Sequence, residues 1–515
     1  MRPQTRLGPE ETQQSSFVRR MIDSHSVLGL GLAALIYVVS LTGAFTLFVP
    51  EISLWENRSV ATSESVAPDA AAAAVRNAAG EVEDGNEILN AVLYAPDEFQ
   101  PYTTVRLNQR PDRESELIST DWLVDPATGA LMREVDAPYA HFIEDLHTML
   151  HLPRPWGRYL VGLVGVVMFT LILSGILAHP TIVKDAFKLR LDRNARLAWT
   201  DLHNRLSVWG LPYHLVLTFT GAFLGVAGIT VSALAFAAYG GDTEKAIAVI
   251  NGPQPILSAP PLEEVPDYEA MIRNSQASDR SFAVLVANNP RDSGQTTAIL
   301  YDEEGILSMR SSDIYRNTGE FLEKFGGKGS EAGARIFGAV QPLHYGTFGG
   351  YPIKLLYFVL ALALTYITST GMMIWFKRKM QQGQPKPKSE AAWRGMTTGL
   401  TLALSVGAVA AASGLALPIP AVGFAVWVAG FAFVWFARDA VRSVRLAWAA
   451  SALLLVTAAG MNALGALSGN ATSWLVNAIL LLSATGLAVA ATRVVPNKKA
   501  SRVIGPENAH PQPAE

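Results

Sequence analysis

The chain has 515 residues, of which 50% are apolar and only 17% are charged, and its formal net charge is −3. Soluble proteins of this length carry about a quarter charged residues, so the composition predicts a membrane protein. The slight negative charge gives no indication of a nucleic-acid partner. The chain contains no cysteine, which excludes disulfides, iron–sulfur clusters and thiolate zinc sites.

Eight apolar segments are long enough to cross a bilayer as helices, which takes about 20 residues. We interpret the first segment as an anchor and not as a cleavable signal peptide, because its apolar stretch is too long and no small-residue cleavage site follows it. The sequence therefore predicts an α-helical integral membrane protein with eight transmembrane helices. The segments lie at roughly 26–49, 158–178, 209–236, 353–376, 396–416, 420–437, 447–467 and 474–492 by that length criterion.

Basic residues mark every second connection between these segments. Arg19 and Arg20 lie in the N-terminal stretch 1–25, and clusters of Lys and Arg occupy the linkers 179–202 and 377–395. Further basic residues follow the sixth segment and lie in the tail 493–515, whereas the short connections 413–420 and 468–473 contain no Lys or Arg. This positive-inside pattern fits an even number of spans, so we expect both termini to be cytoplasmic.

Two long polar segments, about 51–145 and 240–340, then fall on the outer side of the membrane. Both are too long to be plain loops, so we expect each to be a small α+β domain. A strand–turn–strand pattern surrounds Gly129 in the first segment and Gly305 in the second. The alanine-rich run 70–79 predicts a helix before the first hairpin, with Asp69 as its N-cap.

The first and third apolar segments share a motif that indicates an internal duplication. His25 is followed seventeen residues later by Thr-Gly-Ala-Phe at 42–45. His203 is followed at the same distance by the same four residues at 220–223. Because the histidine and the glycine both recur in register, a chance match is a poor explanation.

The second and fourth segments correspond as well, since His147 precedes Ser174-Gly175 and His344 precedes Thr370-Gly371. Each repeat is thus predicted to be a helix, an outer domain and a second helix. Both repeats enter from the cytoplasm, so we expect them to be parallel and related by an axis along the membrane normal. Repeat 1 covers 26–178, repeat 2 covers 203–376, and the four remaining helices at 396–492 form an appendage for structure or partner docking.

The predicted symmetry places His25 opposite His203 near the cytoplasmic end and His147 opposite His344 near the outer end. Two histidines that face each other across a bundle suit a haem, because bis-imidazole ligation needs two helices and little else. A structural zinc fits less well, since further ligands would be expected to complete a tetrahedron. We therefore predict these four histidines as ligands of two haem irons that carry electrons across the bilayer. The glycines that we expect to allow close helix approach are Gly43, Gly221, Gly175 and Gly371.

Three further histidines stay open as alternatives. His214 lies eleven residues after His203 on one predicted helix face, so it could replace His203 as a ligand or line a proton or quinone pocket. His151 lies one turn beyond His147 and is a rival at the outer site, whereas His179 is predicted to be interfacial. No nicotinamide, flavin or P-loop motif is present, so we expect the electron donor to be a quinol or a cytoplasmic reductase.

The motifs around the four histidines resemble those of the PepSY-associated transmembrane family over roughly 17–380. That family includes bacterial inner-membrane ferric-siderophore reductases of the ferrioxamine type, which bind two b-type haems. The resemblance implies that a ferric siderophore or another ferric chelate is reduced on the outer side for iron acquisition. The matching motifs are Arg19-Arg20 and His25 with Leu-Thr-Gly-Ala at 41–44, Asp-Leu-His-Thr-Met-Leu at 145–150, Asp-Leu-His-Asn-Arg-Leu at 201–206, and Pro-Leu-His-Tyr-Gly at 342–346.

The same resemblance leaves two other functions open. The family also includes proteins with no known redox activity, so a PepSY module that binds a periplasmic protein or peptide is the main alternative. A transporter would be expected to place charged or broken helices at mid-membrane, and the first four segments contain almost no charge. Trp122, Tyr139 and Trp156 lie on the predicted outer side and could contact a chelate, although core packing or an interfacial aromatic belt is their more ordinary role.

Overall fold

The computed structural model of the protein describes residues 9–57, 60, 62–112, 114–115, 117–179, 195–251, 266–276, 280–291, 294–302, 310–326, 332–465 and 471–493. Three parts of the chain that carry predictions lie outside these residues. They are the basic stretch 180–194, the turn around Gly305 and the tail 494–515.

The described residues form sixteen α-helices. Three of the four paired histidines lie on helices among the first eight. These are α1 (Pro9–Thr46), α2 (Val49–Glu56), α3 (Pro68–Gly80), α4 (Pro138–Thr148), α5 (Trp156–Ala178), α6 (Ala195–Trp209), α7 (Leu211–Gly225) and α8 (Ala227–Ala238). The others are α9 (Thr243–Asn251), α10 (Tyr268–Gln276), α11 (Ala332–Tyr345), α12 (Gly350–Gln381), α13 (Pro387–Ser413), α14 (Ile419–Trp435), α15 (Ala440–Gly465) and α16 (Ala471–Arg493).

Six helices among the described residues are long and apolar enough to cross a membrane, namely most of α1 together with α5, α12, α13, α15 and α16. The chain is therefore a multi-pass membrane protein. Helices α7 and α8 would make a seventh span if they were counted together, and α14 is a shorter apolar helix of 17 residues. The predicted total of eight spans includes these two segments and stays a prediction.

The prediction of a single helix over 209–236 is wrong. Helix α7 ends at Gly225, and α8 continues at an angle of 69° to it. Gly225 packs backbone to backbone on α5, where a Cβ on Gly225 would lie 2.4 Å from the Cα of Gly162. A second break at Gly210 separates α6 from α7, and Pro212 in the first turn of α7 favours a new helix start. His203 and His214 therefore lie on different helices.

The strands of the two outer segments join in one antiparallel sheet and do not form two independent domains. The strands are β1 (Glu87–Tyr94), β2 (Thr104–Arg110), β3 (Ile118–Val124), β4 (Leu131–Glu134), β5 (Arg280–Asn288), β6 (Gln295–Asp302), β7 (Arg310–Arg316) and β8 (Phe321–Gly326). Their order across the sheet is β4-β3-β2-β1-β5-β6-β7-β8.

The seam between the two halves of the sheet is the antiparallel pair β1–β5. Val92 lies opposite Val286, and Leu93 lies opposite Leu285. Both leucines are fully buried, and they join one core with residues of α3 and α10, which pack against each other on the same face of the sheet. Pairing β1 with β5 removes the open edge that each four-stranded half would otherwise present.

The structure confirms the predicted hairpin around Gly129 as β3 and β4. Gly129 has φ +72°, and a Cβ there would lie 2.2 Å from the carbonyl oxygen of Ala70, so the turn fits closely against α3. The predicted helix over 70–79 is present as α3, but its N-cap is Ala67 and not Asp69. Pro68 begins the helix because its fixed φ suits the first helical position, which leaves Asp69 in the first turn.

The chain divides into two compact units, one of residues up to 385 with 465–476 and the other of the remaining described residues. In the first unit, α1 packs against α5 and α12, α5 packs against α7, and α6 packs against α12. In the second unit, a Cβ on Gly399 of α13 would lie 2.5 Å from the carbonyl oxygen of Trp427 on α14. The Trp427 indole also donates a hydrogen bond to the Met396 carbonyl at 3.0 Å.

Candidate functional site

The first histidine pair lies where four helices of the first unit meet, and we call it site A. His25 on α1 and His203 on α6 have ring centroids 6.3 Å apart, with their ring planes at 87°. His25 Nδ1 lies 3.0 Å from the carbonyl oxygen of Leu171 on α5. His203 Nδ1 lies 3.1 Å from the carbonyl oxygen of Ile367 on α12. Each ring is thus held by a helix other than its own.

The second pair, which we call site B, lies near the sheet. His147 on α4 and His344 on α11 have ring centroids 6.2 Å apart, with their ring planes at 19°. His147 Nδ1 lies 2.9 Å from the carbonyl oxygen of Val39 on α1. His344 Nδ1 lies 3.0 Å from Thr220 Oγ1 on α7. The structure therefore brings together both pairs that the sequence placed opposite each other.

Two hydroxyl groups complete the hydrogen bonding behind site A. Ser174 Oγ lies 3.2 Å from His25 Nδ1 and donates to the Leu171 carbonyl at 3.0 Å. Thr370 Oγ1 lies 2.9 Å from His203 Nδ1 and donates to the Ile367 carbonyl at 2.7 Å. Because each hydroxyl gives its proton to the carbonyl, it accepts from the Nδ1–H group of the imidazole.

These contacts determine which nitrogen of each ring is available to a ligand. A neutral imidazole that donates through Nδ1 has an unprotonated Nε2, which is the form that binds a metal. Metal-bound histidines ordinarily show this arrangement, with the second ring nitrogen bonded to a carbonyl or another acceptor. The sequence analysis missed these acceptors, although a Ser or Thr directly precedes the glycine in every repeat motif.

The four repeat glycines lie against the histidine rings, so the prediction that they serve close helix approach is wrong for these positions. A Cβ on Gly43 would lie 2.7 Å from His147 Cε1, and one on Gly221 would lie 2.8 Å from His344 Cε1. At site A, a Cβ on Gly175 would lie 3.4 Å from the His25 ring, and one on Gly371 would lie 3.6 Å from the His203 ring. Both distances are ordinary van der Waals contacts. Site B is therefore more closely packed than site A.

The separation of the rings suits one metal ion between them. A metal bound by two imidazoles, with nitrogen–metal bonds of about 2 Å, places the ring centroids about 6 Å apart. Each site offers two imidazoles, and within the described residues no group of three or more His, Asp or Glu side chains could hold a bare metal ion. Two imidazoles supply both axial ligands of a haem iron, whose other four ligands belong to the macrocycle. The donor set thus fits a haem better than a tetrahedral zinc.

A cavity of about 440 Å³ adjoins site A and has His25 and His203 in its wall. This volume lies within the range of about 300–1,000 Å³ that is typical of ligand and cofactor sites. Its apolar lining suits the faces of a flat macrocycle, and the Arg378 guanidinium offers a partner for carboxylate groups at the cavity wall. Other lining residues include Ile36, Met168, Leu364, Ile367, Trp375, Thr200 and Asn204.

The three alternative histidines lie outside the two pairs. His214 lines the same cavity, but its Nε2 lies 3.3 Å from the Leu360 carbonyl oxygen and is engaged there. His179 also borders the cavity and is the C-cap of α5. His151 lies in the turn after α4, and its Nε2 lies 3.0 Å from the Phe142 carbonyl oxygen of that helix.

Sites A and B lie at opposite ends of the helical region. Helix α1 carries His25 of site A and, 18 residues later, Gly43 in the wall of site B, which corresponds to about 27 Å along a helix. The hydrocarbon core of a bilayer is about 30 Å thick, which is close to this spacing. An apolar cluster of the helical region includes Ile36, Val39, Val164, Met168 and Leu364, and three of them, Ile36, Met168 and Leu364, also line the cavity at site A.

The three aromatic residues considered for chelate contact have different environments. Tyr139 is only 6% exposed, Trp122 is half-buried against the core of the sheet, and Trp156 is 73% exposed. Tyr139 is therefore a core-packing residue, which is the ordinary role predicted for it from the sequence. Trp156 is the one of the three that offers an open ring.

The sequence analysis did not identify Glu56, which caps the helix that carries His147. Its carboxylate accepts hydrogen bonds from the backbone N–H groups of Tyr139 and Ala140, at 3.1 Å and 2.8 Å, in the first turn of α4. Burial raises the pKa of Glu56 to about 8. A buried acid in α2 thus caps the first turn of α4, the helix that carries His147.

A second feature absent from the sequence analysis is a buried ion pair between Glu51 of α2 and Lys354 of α12. Their exposed fractions are 0% and 1%. The Lys354 ammonium also lies 3.9 Å from the centroid of the Phe99 ring and 5.4 Å from that of Phe48. The pair ties the start of α12 to the first outer segment.

Comparison with known proteins gives two matches. A family model described as the PepSY-associated TM region matches residues 22–378, a range that contains both histidine pairs and the sheet. An uncharacterized protein of Pseudomonas aeruginosa is 28% identical over 254 residues, which cover 47% of this chain and 64% of that protein. The chain thus matches less than two thirds of the length of this relative.

Proposed function

The chain belongs to the family of the PepSY-associated TM region, and on this premise we propose that it transfers electrons across a bacterial inner membrane and reduces ferric chelates on the outer side. In this proposal His25 and His203 hold one b-type haem at site A. His147 and His344 hold a second b-type haem at site B. Family membership supports the membrane module, and the assignment of haem rests on the two sites.

The observation that carries the proposal is the shared construction of the two sites. Their ring centroids are 6.3 Å and 6.2 Å apart, and both distances suit one metal ion between two imidazoles. In both sites the Nδ1 atoms are bonded to acceptors on neighbouring helices, which leaves Nε2 for a metal. Two separate sites with the same donor set, each with its Nδ1 atoms bonded to neighbouring helices, are what a two-haem conduit requires.

The contacts at site A also support the proposed duplication. His25 is bonded to Leu171 and Ser174, which are three positions apart in the chain. His203 is bonded to Ile367 and Thr370 with the same spacing. We infer two parallel repeats, 26–178 and 203–376. The positive-inside pattern then places site A at the cytoplasmic face and site B, with the sheet, at the outer face.

A haem iron bound by two imidazoles supplies one-electron transfer without binding a substrate. The residues of the chain hold the imidazoles at fixed separations, and the helices that carry the sites contribute an apolar cluster around Val164 and Met168. A donor near site A supplies one electron for each Fe(III): a cytoplasmic reductase gives single electrons, and a quinol gives two electrons to two Fe(III) ions, releases two protons and becomes a quinone. The chelated Fe(III) near site B gains one electron and becomes Fe(II), so no acid or base is needed at the substrate. The resemblance to ferrioxamine-type reductases makes a ferric siderophore the proposed substrate.

The rival function is a non-redox module that binds a protein or peptide outside the membrane. The observation that favours it is the continuous eight-stranded sheet, because both outer segments contribute to one broad surface. This rival predicts that replacement of the paired histidines has no effect on electron transfer, since the protein would carry none.

Reconstituted vesicles test the proposed function directly. Proteoliposomes are loaded with a reductant, ferric citrate or a ferric hydroxamate is added outside, and the Fe(II) formed is trapped by a coloured chelator. We expect reduction that depends on the protein and that falls at least tenfold in His203→Ala and in His344→Ala. His151→Ala is the matched control and should keep the parent rate. A rate equal to that of protein-free vesicles would contradict the proposal.

A further inference from the structure

We propose that the hydroxyls of Ser174 and Thr370 are positioning residues that hold the two imidazole planes of site A perpendicular, so that the two haem sites differ electronically. This inference rests on the proposed haem function and adds to it a difference between the sites. Site A has ring planes at 87°, whereas site B has ring planes at 19°.

The difference in angle accompanies a difference in the hydrogen bonds behind the rings. At site A each ring has two acceptors, a carbonyl and the hydroxyl three residues after it. Two acceptors at different positions restrict rotation of an imidazole about its Cβ–Cγ bond more than one acceptor does. Both hydroxyls are buried, since Ser174 is 6% exposed and Thr370 is 0% exposed, so water does not compete for them.

Site B repeats this arrangement at His344 but not at His147. His344 is bonded to the Leu217 carbonyl and to the Thr220 hydroxyl, which lies 3.0 Å from His344 Nδ1 and gives its own proton to the Val216 carbonyl at 2.7 Å. Thr42, the counterpart of Thr220 in the first repeat, gives its hydroxyl proton to the Val38 carbonyl at 2.7 Å, while His147 is bonded to the Val39 carbonyl. The two sites therefore have the same ligands and differ in the support of one ring, that of His147.

The angle between axial imidazole planes has a direct spectroscopic consequence. In low-spin ferric haem, parallel planes separate the energies of two iron d orbitals and give a rhombic electron paramagnetic resonance signal. Perpendicular planes leave these orbitals nearly equal in energy and give a highly anisotropic signal with a large maximum g value. Axial-ligand geometry and its hydrogen bonds are among the means by which a protein tunes a haem. We expect the anisotropic signal from site A and the rhombic signal from site B.

The test is low-temperature electron paramagnetic resonance of the oxidised, detergent-purified protein, with its haem content measured in parallel. His344→Ala removes one of the two site B ligands. The low-spin signal that remains in this variant is then assigned to site A. In Thr370→Val and in Ser174→Ala, which remove one hydroxyl each, the site A signal should shift toward the rhombic position while haem content stays at two per chain. Ser174→Thr and Thr370→Ser restore a hydroxyl and should keep the parent signal.

Thr365→Val is the matched control, because it removes a buried threonine hydroxyl on α12 that donates to the Ala361 carbonyl of the same helix at 3.1 Å. It should leave both signals unchanged. Two haems with signals of the same type, or a site A signal that does not move in Thr370→Val, would overturn this inference and leave the proposed function standing. A protein that binds no haem would overturn both.

Discussion

The ring of His147 lies so close to Gly43 that a Cβ on this glycine would be 2.7 Å from His147 Cε1. Alanine at position 43 therefore has to displace the ring or separate α1 from α4. We predict that Gly43→Ala loses the site B haem, which is half of the total haem, and keeps the site A haem. Pyridine haemochrome quantification of the purified variant checks this.

Gly31 provides a matched control on the same helix, because no atom lies within 4 Å of a Cβ built there. Gly31→Ala should keep both haems and stabilise the protein by up to about 1 kcal/mol, the usual helix preference for alanine over glycine. Equal haem content in Gly43→Ala and Gly31→Ala would show that the ring does not need the space that Gly43 leaves.

Site A should tolerate the change that site B does not. A Cβ on Gly371 would be 3.6 Å from His203 Cε1, which is an ordinary van der Waals contact, whereas one on Gly221 would be 2.8 Å from His344 Cε1. We predict that Gly371→Ala keeps two haems per chain and that Gly221→Ala keeps one. Loss of haem from both variants, or from neither, would contradict the difference in packing between the sites.

The buried ion pair of Glu51 and Lys354 should matter far more than an exposed pair. Lys354→Met leaves an uncompensated charge on Glu51, which typically costs about 3–5 kcal/mol. The control is Lys245→Met, because Lys245 is 72% exposed in its ion pair with Asp242 and such pairs contribute about 0–1 kcal/mol. Thermal unfolding in detergent compares the two.

A double variant separates the charge from the packing at this position. Glu51→Gln combined with Lys354→Met removes both charges and should regain most of the unfolding temperature lost in Lys354→Met alone. If the decreases in unfolding temperature of the two single variants add in the double variant, the lysine stem and its contact with Phe99 stabilise the protein, and charge compensation does not.

Glu56 should make stability depend on pH through the cap of α4. Burial raises its pKa from the ordinary 4.5 to about 8. Between these values the folded state keeps a proton that the unfolded state has lost, so stability falls as pH rises from about 4.5 to about 8. Unfolding temperatures of the parent and of Glu56→Gln, measured between about pH 5 and pH 9, isolate this component. Parallel curves for the two proteins would contradict it.

The sequence predicted which histidines lie together because the repeat supplied a partner for each of them. His25 and His203 recur in register with their glycines, and spatial proximity follows from that register. The sequence did not show what the glycines contact, since a small residue in a helix equally permits a neighbouring helix or a neighbouring ring. The break at Gly225 was missed for a related reason, because hydropathy is continuous through residues 209–236 and does not record a backbone contact with Gly162.

The outer segments show the same limit for β-structure. The hairpin around Gly129 followed from local turn chemistry, and β3 and β4 form it. The pairing of β1 with β5 joins residues almost 200 positions apart, such as Val92 and Val286, and no local pattern specifies such a partner. The ion pair of Glu51 and Lys354 is likewise a contact between distant segments, and neither residue by itself predicts its partner.

Haem quantification of the purified protein tests the central claim most directly. The protein is expressed with ample haem, purified in detergent, and examined by oxidised and dithionite-reduced absorption spectra and by pyridine haemochrome. We predict two b-type haems per chain, with one lost in each of His25→Ala, His203→Ala, His147→Ala and His344→Ala, and none lost in His151→Ala or His179→Ala. A colourless protein under these conditions would contradict the electron-transfer account and favour a binding module.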